Sequence, residues 1–263
     1  MNLIIGNTSQ FFTYFKEQDP NIIGVSSRNF DLSSIGFHEY NRAILTFGEH
    51  RTFADISLED YISVNVDYTL EVINKIKDQC KTIVVFITSE LWNNCSGGIT
   101  LETPINYNYT HYIKSKEILR DKIMHLRESQ GLNIIMVYPF NCNSPYRKDG
   151  FLFKKFINLI NDKQPIIIGD LNFQRDLPHP KLLVETCLSS TEDAIIGSGN
   201  LTNMREFYTK ILGCFDIEYK NYVTENPKIF QNTRLPFYYD TKEKYNGIIE
   251  DTIYDIKKYL KIF

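Results

Sequence analysis

Along this chain, short continuous apolar runs alternate with stretches in which apolar residues recur every three or four positions. The runs at residues 3–5, 22–25, 43–47, 83–87, 134–137 and 165–168 are rich in Ile, Leu and Val, as strands buried on both faces of a parallel sheet are. Ile62, Val66, Leu70, Ile73 and Ile76 fall on one helical face, and Ile249, Ile253, Ile256 and Leu260 form a second stripe near the end. Both stripes read as the core-facing sides of helices. Strands alternating with helices predict an α/β fold, a doubly wound parallel sheet. After about Pro139 the spacing loosens and clusters of Asn, Pro, Gly and Tyr interrupt it. That change predicts loops and a small C-terminal lobe carrying a ligand.

Composition narrows the classes. With 263 residues, 43% hydrophobic and 23% charged, the chain can bury a full core. Its net charge of -3 excludes a general nucleic-acid binder, which needs a concentrated basic surface. The opening MNLIIGNTSQFF has no basic stretch before its apolar residues, and no later apolar run approaches the roughly 20 residues of a membrane span. A soluble cytoplasmic protein is the expectation. Cys80, Cys95, Cys142, Cys187 and Cys214 are odd in number and widely spaced, without a CxxC pair. Neither a disulfide framework nor a zinc site is therefore expected.

The first strand ends at Gly6 and runs through Asn7, Thr8 and Ser9 toward a helix. In a Rossmann-type fold a dinucleotide pyrophosphate sits there, held by backbone N–H groups at the helix N-terminus. A full fingerprint would place further glycines at Ser9 and Phe12, and both are absent, so the segment also reads as an ordinary strand-to-helix turn. The second strand ends at Gly24-Val25-Ser26-Ser27-Arg28, where such a fold meets the adenosine ribose. An acid there would hold a 2′-hydroxyl, whereas Arg28 with Ser26 or Ser27 suits the 2′-phosphate of NADP. A solvated surface arginine is the other reading of Arg28. The cofactor-binding candidates are thus Gly6, Asn7, Ser9, Ser27 and Arg28, together with Tyr112 and Lys116, with NADP favoured and NAD allowed.

Tyr112 and Lys116 lie one helical turn apart on a helix expected to begin near Thr110, so both project from one face. A lysine ammonium beside a phenol lowers its pKa from about 10 and lets the tyrosinate take a proton from a sugar hydroxyl. The spacing alone is cheap, since Tyr254 and Lys258 repeat it on the last amphipathic stretch. Context distinguishes Tyr112: it follows a strand that runs into Thr88-Ser89-Glu90-Leu91-Trp92, and ligands collect at the carboxyl ends of such strands.

Thr88, Tyr112 and Lys116, with Ser115 completing Tyr-Ile-Lys-Ser-Lys, resemble the catalytic set of the extended short-chain dehydrogenases/reductases, the NAD-dependent epimerase/dehydratase family. The pattern is most similar to that of the GDP-mannose 4,6-dehydratases. Thr88-Ser89-Glu90-Leu91 looks like their Thr-Ser-Glu-Leu, and Phe140-Asn141-Cys142-Asn143-Ser144-Pro145-Tyr146-Arg147 looks like their Phe-Asn-His-Glu-Ser-Pro-Arg-Arg. Downstream, residues 151–156 are similar to the helix whose lysine contacts the nucleotide sugar. Gly169-Asp170-Leu171 through Arg175-Asp176 is similar to the family's Gly-Asn-Leu to Arg-Asp stretch, and Asn203-Met204-Arg205-Glu206-Phe207 to a helix of the substrate lobe. The resemblance spans nearly the whole chain in order.

It implies a Rossmann core in residues 1–139, with 165–200 contributing later strands, and a nucleotide-sugar-binding lobe mainly in 140–263. It implies that Tyr112 is the base at the C4 hydroxyl, assisted by Lys116 and Thr88, with NADP accepting the C4 hydride. Glu90 would shift a proton from C5 as water leaves C6. Asn141, Arg147, Lys155 and Arg175 would line the diphosphate and sugar, since two phosphates need cations in an otherwise acidic protein. The implied substrate is a GDP-sugar for bacterial surface-polysaccharide precursors, and a homodimer is a further implication. The chain departs from the family pattern in its glycine fingerprint, in the short span near residues 30–40, in its small lobe, and at Gln231-Asn232-Thr233-Arg234, where the family has Arg-Pro-Thr-Glu. These departures leave a nucleotide-sugar C4 reductase or epimerase as the alternative enzyme, and a catalytically silent sugar-nucleotide-binding protein as an alternative of another class.

Overall fold

The computed structural model describes residues 1–36, 38–232 and 235–262. In chain order the elements begin with β1 (Asn2–Ile5), α1 (Phe12–Gln18), β2 (Ile23–Val25), β3 (Tyr40–Leu45), α2 (Leu58–Ile62) and α3 (Tyr68–Ile76). There follow β4 (Cys80–Phe86), β5 (Gly97–Ile99), α4 (His111–Gln130), β6 (Ile134–Pro139), α5 (Leu152–Asp162), β7 (Ile166–Ile168), β8 (Gln174–Asp176), α6 (Pro180–Ser189) and β9 (Ala194–Ile196). The remainder adds β10 (Leu201–Asn203), α7 (Met204–Gly213), α8 (Tyr219–Tyr222), β11 (Val223–Glu225), β12 (Phe237–Tyr239) and α9 (Ile248–Leu260). The apolar stripe at residues 62–76 is one helical run, in which α2 passes through a π turn, Ser63–Asp67, into α3. Thr233 and Arg234 lie outside the described residues.

Strands β2, β1, β3, β4, β6 and β9 form, in that order, a six-stranded parallel sheet. The order reverses at β1, where Leu3 stands between Ile23 and Ala43. Such a switch point opens a crevice beyond the carboxyl ends of its strands. The strands read as unbroken apolar runs because helices cover both faces. On one face Leu3, Leu45, Val85 and Met136 pack with Val72, Ile76, Leu119 and Ile123 of α3 and α4. On the other, Ile4, Ile44, Val84 and Ile135 pack with Phe15, Leu183 and Cys187 of α1 and α6.

The run at residues 165–168 does form a strand, but β7 pairs with β11 in the lobe, and β9 takes the last place in the central sheet. Ile168 is buried there while Ile167 is 60% exposed, so this strand is covered on one side only. Behind it, Phe153, Phe156 and Ile160 of α5 pack with Phe207, Tyr208 and Ile211 of α7, and the rings of Phe156 and Tyr208 stack at 3.8 Å. Asp176 ties this lobe to the sheet. Its buried carboxylate accepts hydrogen bonds from Ser198 N (2.6 Å), Ser198 Oγ (2.7 Å), Gly199 N (3.1 Å) and Tyr239 N (3.0 Å), joining β8 to the turn after β9 and to β12.

The absent fingerprint glycines have a structural counterpart. A third glycine in such a motif lets the helix approach the sheet closely, and Phe12 stands there instead. A Cβ added to Gly24 of β2 would lie 2.2 Å from Phe12 Cε2, so the ring occupies the space that Gly24 leaves open. The small residue has moved from the helix to the strand. Gly24→Ala should therefore destabilise the protein by about 1–3 kcal/mol through overpacking. The same change in a Phe12→Ala background should cost much less, as urea unfolding of the four-member cycle would measure; equal costs in both backgrounds would contradict this packing.

Candidate active site

Strand β4 ends at Phe86, and the chain turns at Thr88 into a 3₁₀ turn, Ser89–Trp92, which Thr88 caps by accepting from Glu90 N at 3.2 Å. Helix α4 begins after Thr110, whose hydroxyl accepts from Ile113 N at 3.2 Å. With Ile113, Leu119 and Ile123 in the core, Tyr112 and Lys116 project from the first turns onto the carboxyl edge of the sheet. Thr88, Glu90, Tyr112 and Lys116 are thus brought to one place. The Tyr112 phenol is hydrogen-bonded to the Thr88 side chain. Burial pushes that phenol up to about 12; the Thr88 hydrogen bond and the Arg147 cation oppose the rise, and the Glu90 charge adds to it.

The Lys116 ammonium is committed to the main chain. The side chain is buried, its ammonium donates to the Phe86 carbonyl at 2.7 Å, and burial pushes its pKa down to about 8. The expected lowering of Tyr112 is reversed because both groups leave water together, and desolvation disfavours the charged form of each.

The sequence reading also missed the frame around them. Asn65, in the π turn, donates to Ser115 Oγ and to the Glu49 carbonyl, both at 3.0 Å, and accepts from Glu49 N at 2.7 Å. Ser115 Oγ in turn donates to the Tyr112 carbonyl at 2.7 Å. Gly48, at φ 152°, makes room for this: a Cβ there would lie 3.1 Å from Asn65 Oδ1 and 3.8 Å from Lys116 Nζ. His50 was missed as well. Its Nδ1 lies 3.2 Å from the Gly48 carbonyl and its ring stacks on Phe151 at 5.3 Å, while desolvation and the Arg147 and Lys116 cations push its pKa down. A buried asparagine inside an apolar helical stripe was the available signal for Asn65.

The cofactor candidates lie at the neighbouring strand ends, since Ile5 stands opposite Val25. Gly6 has φ 113°, and a Cβ on it would come within 2.7 Å of Thr46 Oγ1. The N–H groups of Gly6 and Asn7 donate to the Val25 carbonyl at 2.9 and 3.1 Å. Ser9 Oγ and Gln10 Oε1 are buried without a hydrogen-bond partner among the described residues. The Ser27 carbonyl accepts from the Tyr68 hydroxyl, and Arg28 is exposed, its N–H on Ser26 Oγ at 3.1 Å.

Of the substrate candidates, Arg147 is placed with the phenol. Its guanidinium lies 4.0 Å above the Phe151 ring and donates to the Cys142 carbonyl at 2.9 Å, within electrostatic range of Tyr112. Asn141 is exposed just after β6, and Lys155 is exposed on α5. Arg175, on β8, is directed to Asn232 Oδ1 at 3.4 Å and to the Phe173 ring at 5.3 Å.

A family model described as GDP-mannose 4,6 dehydratase matches residues 57–259. No curated protein matches the chain in sequence. The fold is similar to that of RMD from Pseudomonas aeruginosa complexed with NADPH, at 13% identity over 99% of each chain and a TM-score of 0.79. It is similar to DesIV, a dTDP-glucose 4,6-dehydratase from Streptomyces venezuelae with NAD and TYD bound, at 16% identity over 100% of this chain and 98% of that one, with a TM-score of 0.80. A UDP-N-acetylglucosamine 4-epimerase from Methanobrevibacter ruminantium M1, in complex with UDP-N-acetylmuramic acid, matches at 14% identity over 100% and 98% with a TM-score of 0.75. These likenesses establish the Rossmann-type fold.

The buried ammonium has a measurable consequence. Its fall from 10.5 to about 8 corresponds to a penalty on the order of 3 kcal/mol on the charged, folded form. Because the folded-state value is the lower one, the unfolded chain binds more protons between these values, and stability rises with pH across that window. Lys116→Met should accordingly be more stable than the unaltered protein at pH 7, with the gap closing between about pH 8 and 10.5. Urea unfolding at a series of pH values measures this; a variant no more stable at pH 7 would refute it.

Proposed function

The chain belongs to the GDP-mannose 4,6-dehydratase family, a family of NAD-dependent nucleotide-sugar dehydratases and epimerases, and from that premise we propose that it oxidises a nucleotide-linked sugar at C4 with Tyr112 as the base. The observation that carries the reading is the meeting of Thr88, Tyr112 and Lys116 at the carboxyl edge of the sheet beyond β4, inside a buried hydrogen-bonded frame. The neighbouring residues fit a nicotinamide dinucleotide: Gly6 turns without a Cβ, Ser9 Oγ is unpartnered, and exposed Arg28 suits a 2′-phosphate, which favours NADP over NAD. Gly6, Asn7, Ser9, Ser27, Arg28 and Lys116 would hold it. When bound, the oxidised nicotinamide supplies a hydride acceptor and a positive charge.

Within this reading Tyr112 takes the C4 hydroxyl proton while Thr88 donates to the resulting phenolate. A phenol at about 12 costs about 7 kcal/mol to ionise at pH 7, so the cations around it matter. Arg147 opposes that cost, and the Glu90 charge adds to it. Glu90 moves a proton from C5 toward the hydroxyl leaving C6; the hydride taken from C4 would then return to C6 and a proton to C5, so that the net change is loss of water, that of a 4,6-dehydratase. Arg147 faces the sugar, and Asn141, Lys155 and Arg175 take the diphosphate end. The substrate we favour is a GDP-sugar supplying surface-polysaccharide precursors, acted on by a cytoplasmic homodimer. No helix of the described residues is long and apolar enough to cross a membrane.

A C4 epimerase or reductase is the second reading, and one observation favours it: Glu90 accepts from Asn93 Nδ2 at 3.2 Å, a partner that a purely structural carboxylate would also have. Tyr112→Phe should preserve the fold and lower turnover by on the order of 10³-fold, and undiminished turnover would remove Tyr112 from the chemistry. Glu90→Gln should abolish loss of water from the sugar, read by mass spectrometry of the product. If the variant forms product at the original rate, the epimerase or reductase reading replaces the dehydratase.

A further inference from the structure

Behind the 3₁₀ turn Ser89–Trp92 lies a cleft of about 490 Å³, formed by α4, the end of β6, Asp193 and residues 101–105. None of Thr88, Tyr112 and Lys116 lines it. The Trp92 and Tyr138 rings meet at 5.4 Å and 63° to make one wall. The indole N–H of Trp92 is already spent on the Thr103 carbonyl at 2.8 Å, so the ring offers only apolar surface. Met124 and Leu101, both exposed, extend that surface to the rim.

The charges in the cleft differ in how far they are satisfied. Arg127 grips both oxygens of Asp193, and Asp193 Oδ1 also accepts from Met136 N at 2.8 Å. That pair is neutral, with Arg127 Nε left buried and without a hydrogen-bond partner among the described residues. Glu102, at the rim, is hydrogen-bonded to the Thr100 side chain. Arg120 is different: besides the Tyr138 hydroxyl, its partner is Asp121 Oδ1 at 3.0 Å, a carboxylate that is 63% exposed. An exposed pair of that kind contributes little, and a guanidinium carries five donors. Apolar aromatic walls beside two guanidinium groups, of which Arg120 has the more exposed carboxylate partner, match a ligand with an aromatic or aliphatic body and a single anionic group.

We propose that this cleft is a binding site for a small aromatic or apolar carboxylate, separate from the crevice at the strand ends, with Arg120 as its anion ligand. Its place gives it a route to the reaction. Trp92 closes the turn that carries Glu90, and Arg120 follows Lys116 by one turn of α4, so an occupant rests against the back of both elements that hold the four candidate catalytic side chains. Binding itself does not rest on the proposed function.

Trp92 is the only tryptophan in the chain, so its fluorescence reports on the cleft wall and on the turn it closes. Phenylacetate, 2-phenylethylamine and 2-phenylethanol would be titrated into the full-length protein, with and without saturating NADP. The expected result is a saturable change with phenylacetate, at least about ten-fold weaker for the amine, as a charged hydrogen bond confers, and unaffected by NADP. Arg120→Gln should remove the preference for the anion and Arg120→Lys should retain it. No saturable change, equal affinity for acid and amine, competition by NADP, or an unaltered preference in Arg120→Gln would each overturn the proposal.

Discussion

Lys116 is a cation held almost out of water and answered by the Phe86 main-chain carbonyl at 2.7 Å, and much of the surrounding structure serves to keep it there. At the carboxyl edge of a parallel sheet the ladder ends and carbonyls are left for side chains to claim. The loop after β3 passes close to the ammonium, and Gly48 there leaves room for Asn65 Oδ1, which a Cβ would meet at 3.1 Å. Asn65 then clamps that loop through both Glu49 main-chain groups and reaches Ser115 on α4. The π turn at Ser63–Asp67 is the device that presents Asn65; such turns are local departures from α-geometry that recur at functional sites.

The same constraint sets the electrostatics. Burial raises the Tyr112 phenol and lowers the Lys116 ammonium, so each resists the charge that base chemistry asks of it. A scaffold selected only for stability would replace Lys116 by an apolar residue, and keeping it is the kind of local conflict that marks functional sites. The fingerprint end shows the opposite tendency. There the packing problem left by the missing glycine is solved, with Phe12 seated on Gly24, and the approach of α1 to the sheet is kept by different means.

The central strands were legible because burial on both faces leaves unbroken apolar runs, and the two helical stripes because one face of each is buried. The three-residue pairs β5 with β12 and β8 with β10 left no such trace, since they are held by tertiary contacts such as the Asp176 carboxylate. For the same reason residues 165–168 announced a strand but not its sheet. At the site, spacing alone brought Tyr112 and Lys116 to one helical face, and the run into Thr88 and Glu90 located the edge. Spacing does not reveal what a side chain meets at its far end. The turning of Lys116 to Phe86 and the raised phenol both depend on neighbours distant in sequence.

The central claim is that a nicotinamide dinucleotide binds at the edge formed by Gly6 and Arg28 despite the altered glycine motif. Denaturing the purified protein and identifying the released small molecules by mass spectrometry tests it directly. The account predicts bound NADP(H), or NAD(H), in amounts comparable to the protein. Release of neither, together with no binding when either is supplied at millimolar concentration, would contradict it and leave a catalytically silent sugar-nucleotide binder as the better description.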